Sequence, residues 1–220
     1  MDHLNYFCQQ RSEMLPILPP NRRRILEIGC GEGLFSEQIT GSEEKWGVEP
    51  TEAAASAAKG RLTHVINKFF DEAKSDLPKK YFYLVICNDI IEHMTDHDKF
   101  LSDIKDYLAP GGVIVGSIPN VRYHKNLFNV LFVKDWEYMD WGILDRTHFR
   151  FFTEKSLLRS LSSAGFVVEE LHGINGGIEF GWSKWQLAYS AFAVLSIALS
   201  FGYFSDIKHL QFAFRARPSR

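Results

Sequence analysis

The run Ile25-Leu26-Glu27-Ile28-Gly29-Cys30-Gly31-Glu32-Gly33 constrains the fold of this chain more than any other segment. Ile25, Leu26 and Ile28 form an apolar strand, three glycines spaced by single residues form a turn without side chains, and Leu34, Phe35 and Ile39 follow at helical spacing. A strand, a bare turn and a helix in that order let a cofactor approach the backbone at the carboxyl end of the first strand of an α/β sheet. Two cofactor classes fit poorly. A dinucleotide fingerprint places Gly or Ala where this chain has Leu34, and a phosphate-cradling loop needs a Gly-Lys-Ser/Thr that is absent.

Strand and helix patterns alternate beyond this run. Strands fit Arg24–Ile28, Lys45–Glu49, His64–Lys68, Leu84–Asn88 and Val113–Ser117, and helices fit Leu34–Ile39, Glu52–Lys59 and Lys99–Leu108. That order predicts a parallel sheet with right-handed crossovers. Asp2 to Leu15 reads as an amphipathic helix ended by Pro16, Pro19 and Pro20, while Pro110-Gly111-Gly112 marks a stop before the fifth strand. The pattern breaks over 119–150, an aromatic-rich stretch too long for a plain connection, which predicts a substrate-covering insertion. A helix over Thr153–Ala164 with Thr153 as N-cap, a strand over Phe166–Leu171 and a last strand over Leu210–Arg215 complete the reading. At 220 residues this is one domain, 1–220, with a helical cap over 1–20 and an apolar helical insert over 183–205.

The phrases Ile25–Gly33, Asn88–Met94, Leu108–Asn120 and Asp145–Thr153 together resemble class I S-adenosylmethionine (SAM) methyltransferases. The acidic-x-Gly-x-Gly-x-Gly motif of that family is matched from Glu27 to Gly33, and the closest flavour is the broad group containing ubiquinone-biosynthesis O-methyltransferases. The resemblance implies a Rossmann-like sheet of seven strands, the last antiparallel, flanked by helices. An aromatic insertion would follow the fifth strand, and an apolar helix would lie between the sixth and seventh. One departure is Tyr83, where relatives often carry Asp before the fourth strand.

The cofactor expected is SAM, with Gly29, Gly31 and Gly33 as its cradle. Glu49, ending the second strand, would accept the ribose hydroxyls. Glu27 behind the loop would favour the cationic methionine end, and Asn88 and Asp89 would lie beside that moiety. Asp71 is either the reader of the adenine amine or a surface acid, and Arg11 either a partner of the SAM carboxylate or an exposed helix residue.

Methyl transfer to an alcohol requires loss of the acceptor's proton, hence a base or a Lewis-acid metal. Asp89-Ile90-Ile91-Glu92-His93 carries both options. On a helical turn Asp89, Glu92 and His93 share a face. The segment resembles the acidic-x-x-Glu-His of ubiquinone-pathway enzymes and of small-RNA 3′-terminal 2′-O-methyltransferases, whose more distant metal-binding His would correspond to His148. One arrangement is therefore a divalent site of Asp89, Glu92, His93 and His148, taking Mg²⁺, Mn²⁺, Fe²⁺ or Zn²⁺. The other makes Asp89 a helix cap in an acidic capping box and His93, with His148 as a second candidate, the catalytic base. Tyr123, His124, Trp136, Tyr138, Trp141 and Phe149 would stack on the acceptor or pack the lid, and Arg122, Arg146 and Arg150 would pair with an acidic substrate group or with neighbours on the surface.

A formal charge of −2 argues against nucleic acid as the main partner. The expected acceptor is a small molecule, a glycan or a lipid-linked intermediate. Methylation of an RNA 3′ end is the rival activity, and a catalytically silent SAM-binding protein is the rival class. Cys8, Cys30 and Cys87 form no Cys-x-x-Cys, which together with the absence of a signal-peptide pattern leads to an expected cytoplasmic location. Leu187 to Phe204 carries no charge. It is read as a helix that covers the site or joins a homodimer, or as a shallow peripheral membrane contact.

Overall fold

A computed structural model describes residues 10–179 and 181–219. Seven strands form one sheet in the order β3-β2-β1-β4-β5-β7-β6: β1 (Arg24–Ile28), β2 (Glu44–Val48), β3 (His64–Ile66), β4 (Phe82–Asn88), β5 (Leu108–Pro119), β6 (Phe166–Ile174) and β7 (Gln211–Pro218). The first five are parallel, and β7 runs antiparallel between β5 and β6. The helices are α1 (Leu34–Gln38), α2 (Glu52–Ala58), α3 (Phe70–Ala73), α4 (His97–Ile104), α5 (His124–Phe128), α6 (Glu154–Ser163) and α7 (Lys184–Leu199). The expected architecture is therefore present.

The period-2 alternation of strand side chains builds both halves of the core. Leu26, Ile28, Val85 and Cys87 pack with Phe100 and Leu101 of α4 and Leu157 and Leu161 of α6. Ile25, Leu84 and Ile86 pack on the opposite face with Met14, Ile17 and Phe35. Thr153 caps α6 as expected: its hydroxyl accepts from the Ser156 amide, and the Ser156 hydroxyl accepts in return from the Thr153 amide.

Three local expectations change. Residues 2–9 of the predicted N-terminal helix lie outside the described residues, and Ser12–Ile17 is a 3-10 helix with Pro16 inside it. Arg11, just before it, is left-handed at φ 47°. The Pro110-Gly111-Gly112 stop lies within β5, because Leu108 already pairs with Phe82; the register then shifts so that Val113 meets Leu84. The helix before it consequently ends at Ile104. The 119–150 insertion is partly regular, with α5 followed by a π-helix over Asn129–Val133.

Candidate active site

Strand order reverses between β1 and β4, since β2 and β3 lie to one side of β1 and β4 and β5 to the other. Diverging loops at such a switch point open a crevice at the carboxyl ends of the strands. Gly29, Gly31 and Gly33 form the loop there with φ of 70°, 52° and 80°, a region that disfavours side chains. A Cβ on Gly29 would lie 2.2 Å from Ile90 Cδ1, so close packing as well as backbone angle demands glycine.

Three polar groups beneath and beside this loop fit the expected cofactor. Glu49 accepts from the Gly31 amide through Oε2 (3.0 Å) and from the Thr51 amide through Oε1 (2.9 Å), which holds the carboxylate against the loop and leaves each oxygen a second acceptor position. Glu27 is only 4% exposed, and its Oε2 has no partner. Burial raises its pKa to about 7, although the nearby Arg11 favours the charged form. The unpartnered Oε2 is open to a further cation, and the amino and sulfonium groups of SAM carry that charge. Asn88, ending β4, has both side-chain polar atoms buried without partners. Buried amides of this kind are ordinarily satisfied, so Asn88 is equipped to bind a ligand.

Arg11 and Asp89 engage each other. The left-handed Asp89 (φ 51°) turns its carboxylate toward Arg11 Nη1, the Ser117 hydroxyl (2.8 Å) and the Gln211 amide (2.8 Å). Arg11 Nη2 also donates to Ser117 Oγ (2.8 Å), and its Nε donates to Glu13 (2.8 Å). Asp89 is therefore neither a helix cap nor a member of the metal-competent cluster. The adjacent turn, Ile91–His93, is a 3-10 helix without a side-chain cap. Asp71 sits in the first turn of α3, its side chain 81% exposed and ion-paired with Lys74.

Beside Asp89 opens a cavity of about 720 Å³. The end of β4 supplies Glu92 and His93, the insertion supplies Tyr123, Met139, Trp141 and His148, and distant segments supply Asn175, Trp185, Tyr189 and Gln211. Glu92, His93 and His148 each offer a ligand atom within 4.8 Å of the others. Glu92 is buried, and neither of its oxygens has a partner. Burial, reinforced by Asp89, raises its pKa well above the usual carboxyl range.

Hydrogen bonds determine which imidazole nitrogens are free. Thr147 Oγ1 donates to Asp145 Oδ1 (2.6 Å), so toward His93 both this hydroxyl oxygen (3.1 Å) and the Thr147 carbonyl (3.2 Å) are acceptors. His93 Nδ1 must then carry the hydrogen, leaving a lone pair on Nε2. His148 Nδ1 likewise faces the Ile143 carbonyl at 3.0 Å, which frees its Nε2. Burial, then the neighbouring His148, lowers the pKa of His93, so its ring is neutral at pH 7. Burial opposes ionisation of Asp145, but the Thr147 donors and the two histidines hold its pKa below the ordinary value. One carboxylate and two imidazoles suit a transition ion better than the oxygen-rich shell preferred by Mg²⁺.

The three arginines considered for an acidic substrate group are all engaged within the chain. Arg122 pairs with Asp206 (2.6 Å), Arg146 pairs with Asp140 (2.9 Å), and Arg150 donates to the carbonyls of Phe149 and Thr95. The aromatics divide. Tyr123 and Trp141 line the cavity, His124 is fully buried with Nδ1 3.3 Å from the Ile207 carbonyl, and Trp136 packs on Phe151. Asn175, Gln211, Trp185 and Tyr189 were not singled out from sequence as site residues, because nothing near them in the chain has a chemical pattern.

Comparison with known proteins agrees with this geometry. The family model described as "Methyltransferase domain" matches residues 2–171. The "Probable S-adenosylmethionine-dependent methyltransferase" of Mycolicibacterium smegmatis is 29% identical over 156 residues, 70% of this chain and 56% of that protein. A "Ubiquinone biosynthesis O-methyltransferase" of Bradyrhizobium sp. is 30% identical over 157 residues, 69% of this chain and 61% of that protein. The alignments thus span less than two thirds of either relative. A SAM-dependent methyltransferase structure from Archaeoglobus fulgidus superposes with a TM-score of 0.65 at 21% identity, covering 93% of this chain and 89% of that one. Another from Mesorhizobium loti gives 0.59 at 18%, covering 93% and 95%. These two share the fold. With the glycine loop, the sheet order and the family match in agreement, this chain belongs to the methyltransferase-domain family, among the class I SAM-dependent methyltransferases.

Proposed function

We propose that this chain methylates an oxygen of an acceptor held in the 720 Å³ cavity, with Glu92, His93 and His148 as the reacting-side machinery. When bound, SAM would supply a methyl group on a positively charged sulfur and leave as the neutral thioether S-adenosylhomocysteine. Gly29, Gly31, Glu27, Glu49 and Asn88 hold it at the switch point. The acceptor hydroxyl gives its proton to the free Nε2 of His93, while Thr147, steadied by Asp145, keeps the ring in the required tautomer. In the alternative arrangement a divalent ion held by Glu92, His93 Nε2 and His148 would occupy that lone pair, and its Lewis acidity, in place of His93 as base, would lower the pKa of the acceptor hydroxyl. The name of the Bradyrhizobium relative supports oxygen as the methylated atom. The observation that carries the reading is the convergence of two free imidazole nitrogens and an unpartnered buried carboxyl on one cavity wall.

Titration with Co²⁺ tests the metal, because the ion's visible absorption reports its ligands. The expected result is a 1:1 spectrum with nitrogen ligation that is lost in His148→Ala, alongside EDTA-sensitive release of S-adenosylhomocysteine from SAM with a panel of small hydroxylated acceptors. Full turnover in the stripped protein, with no Co²⁺ spectrum, would leave His93 as a base acting alone. Absence of SAM binding by calorimetry would overturn the whole reading.

A further inference from the structure

The apolar surface carried by α7 and by the π-helix over Asn129–Val133 has no part in the chemistry above. Between Trp185 and Leu199, α7 has no charged residue and is apolar on all sides rather than along one stripe. A helix of that kind is normally enclosed by protein or by lipid. Only one side of α7 is covered here. Phe192 packs against Phe128 and Phe132 (ring centroids 5.7 Å in each case), Tyr189 donates to Asn129 (2.9 Å), and Ser190 and Ala193 are buried. On the other side Leu199 is 78% exposed and Phe201, just beyond the helix, 100%, while Leu131 of the π-helix is 58% exposed.

We propose that this face docks onto an anionic phospholipid bilayer and presents the cavity to an acceptor residing in that membrane. The acceptor clause rests on the methyl-transfer reading; the docking does not. Three observations point to a membrane surface. The first is dimension. At 16 residues α7 is about 24 Å long, short of the ~30 Å hydrocarbon core. Among the described residues no helix is long and apolar enough to cross a membrane. The strands on either side of α7, β6 and β7, pair with each other, so the chain must return to the sheet it left and the helix can only lie in the surface.

The second is the composition of the rim. Trp182 and Trp185 mark one end of α7 and Tyr203 the region beyond the other, all exposed, as amphipathic rings are at the level of lipid headgroups. Cations accompany them. Lys184 immediately precedes the apolar run, Lys134 immediately follows the exposed Val133, and Lys155 Nζ lies 3.3 Å from the Tyr203 hydroxyl. Asp135 and Glu137, also exposed, line the cavity behind Lys134. Positive groups around an apolar face complement anionic lipid, whereas a second copy docked face to face would bring the same lysines together. The third is continuity: Val133, Trp141 and Trp185 both line the cavity and belong to the exposed apolar set, so the mouth opens onto the proposed docking face.

Sedimentation of the full chain with phosphatidylcholine vesicles, with and without phosphatidylglycerol, tests the docking. The expected result is co-pelleting that strengthens with phosphatidylglycerol and weakens with salt. Leu195, exposed on α7, and Phe201 carry the face, so Leu195→Ser/Phe201→Ser should lower the bound fraction by about fivefold or more, and Lys134→Glu/Lys184→Glu should remove the preference for anionic lipid. SAM binding by calorimetry should be unchanged in both variants. Wild-type protein left in the supernatant with every vesicle, or pelleting indifferent to both variants, overturns the proposal. So does a dimer by light scattering that Leu195→Ser/Phe201→Ser dissociates while vesicle binding is absent, because the face would then be a contact between copies. Loss of SAM binding in the wild type would strike the methyl-transfer reading and leave the sedimentation result to judge the docking.

Discussion

At the carboxyl ends of β1, β2 and β4, the glycine loop, Glu27, Glu49 and Asn88 come from short segments whose neighbours in the chain are also their neighbours in space. The cavity on the far side of Asp89 draws Glu92 and His93 from β4's end, His148 from the insertion, Asn175 from beyond β6, Tyr189 from α7 and Gln211 from β7. The two regions also differ in polar satisfaction. Glu49 is pinned by two backbone amides, while Glu92 is buried with no partner at all. The cofactor end is thus a local motif organised by its own backbone, and the cavity is an assembly that depends on the packing of remote elements.

Substitutions on the two sides should separate accordingly. The largest effect is expected from His93→Ala, which removes the base but leaves the glycine loop intact: turnover should fall by about 10²- to 10⁴-fold with little change in SAM affinity. A parallel loss of SAM affinity would mean that the two regions are one unit. Gly29→Ala should cost about 3 kcal/mol of stability by thermal unfolding, combining a left-handed backbone with the clash against Ile90.

Glu27 tests the cofactor end by pH. Its folded pKa of about 7 lies above the ordinary 4.5, so the folded protein holds a proton that the unfolded chain releases. Without SAM, the contribution of Glu27 to stability should therefore be fully present below pH 4.5 and be lost as pH rises through about 7, by up to roughly 3 kcal/mol. Glu27→Gln should flatten this dependence, and SAM affinity should strengthen over the same interval as the acid ionises. A slope unchanged in Glu27→Gln would show that another group carries it. The smallest effect is expected at Gly142 in the insertion, also left-handed but with open space around its missing Cβ: Gly142→Ala should cost about 1 kcal/mol.

The β1 strand, the glycine turn and the Thr153 cap were legible because each depends on residues within one or two turns of chain. Helix α3 was not anticipated, since Phe70–Ala73 is too short to show periodicity. The metal-competent set was legible in its residue types, but the membership of Asp89 was wrong. A left-handed backbone at Asp89 commits that carboxylate to Arg11, Ser117 and Gln211 from three other segments, and no local pattern encodes the turn. Of the two roles open to the arginines of the insertion, pairing within the chain is the one found for Arg122 and Arg146, because Asp206 and Asp140 claim them in the folded chain.

By itself the sequence determined the α/β architecture, the cofactor end and the uncharged character of residues 187–204, since hydrophobic period, glycine φ and composition act over short range. Only the tertiary structure decided which imidazole nitrogens are free, which acid joins them and which side of α7 stays bare. Those outcomes depend on contacts between segments far apart in the chain, where hydrogen-bond partners and packing surfaces exist only after the sheet has formed.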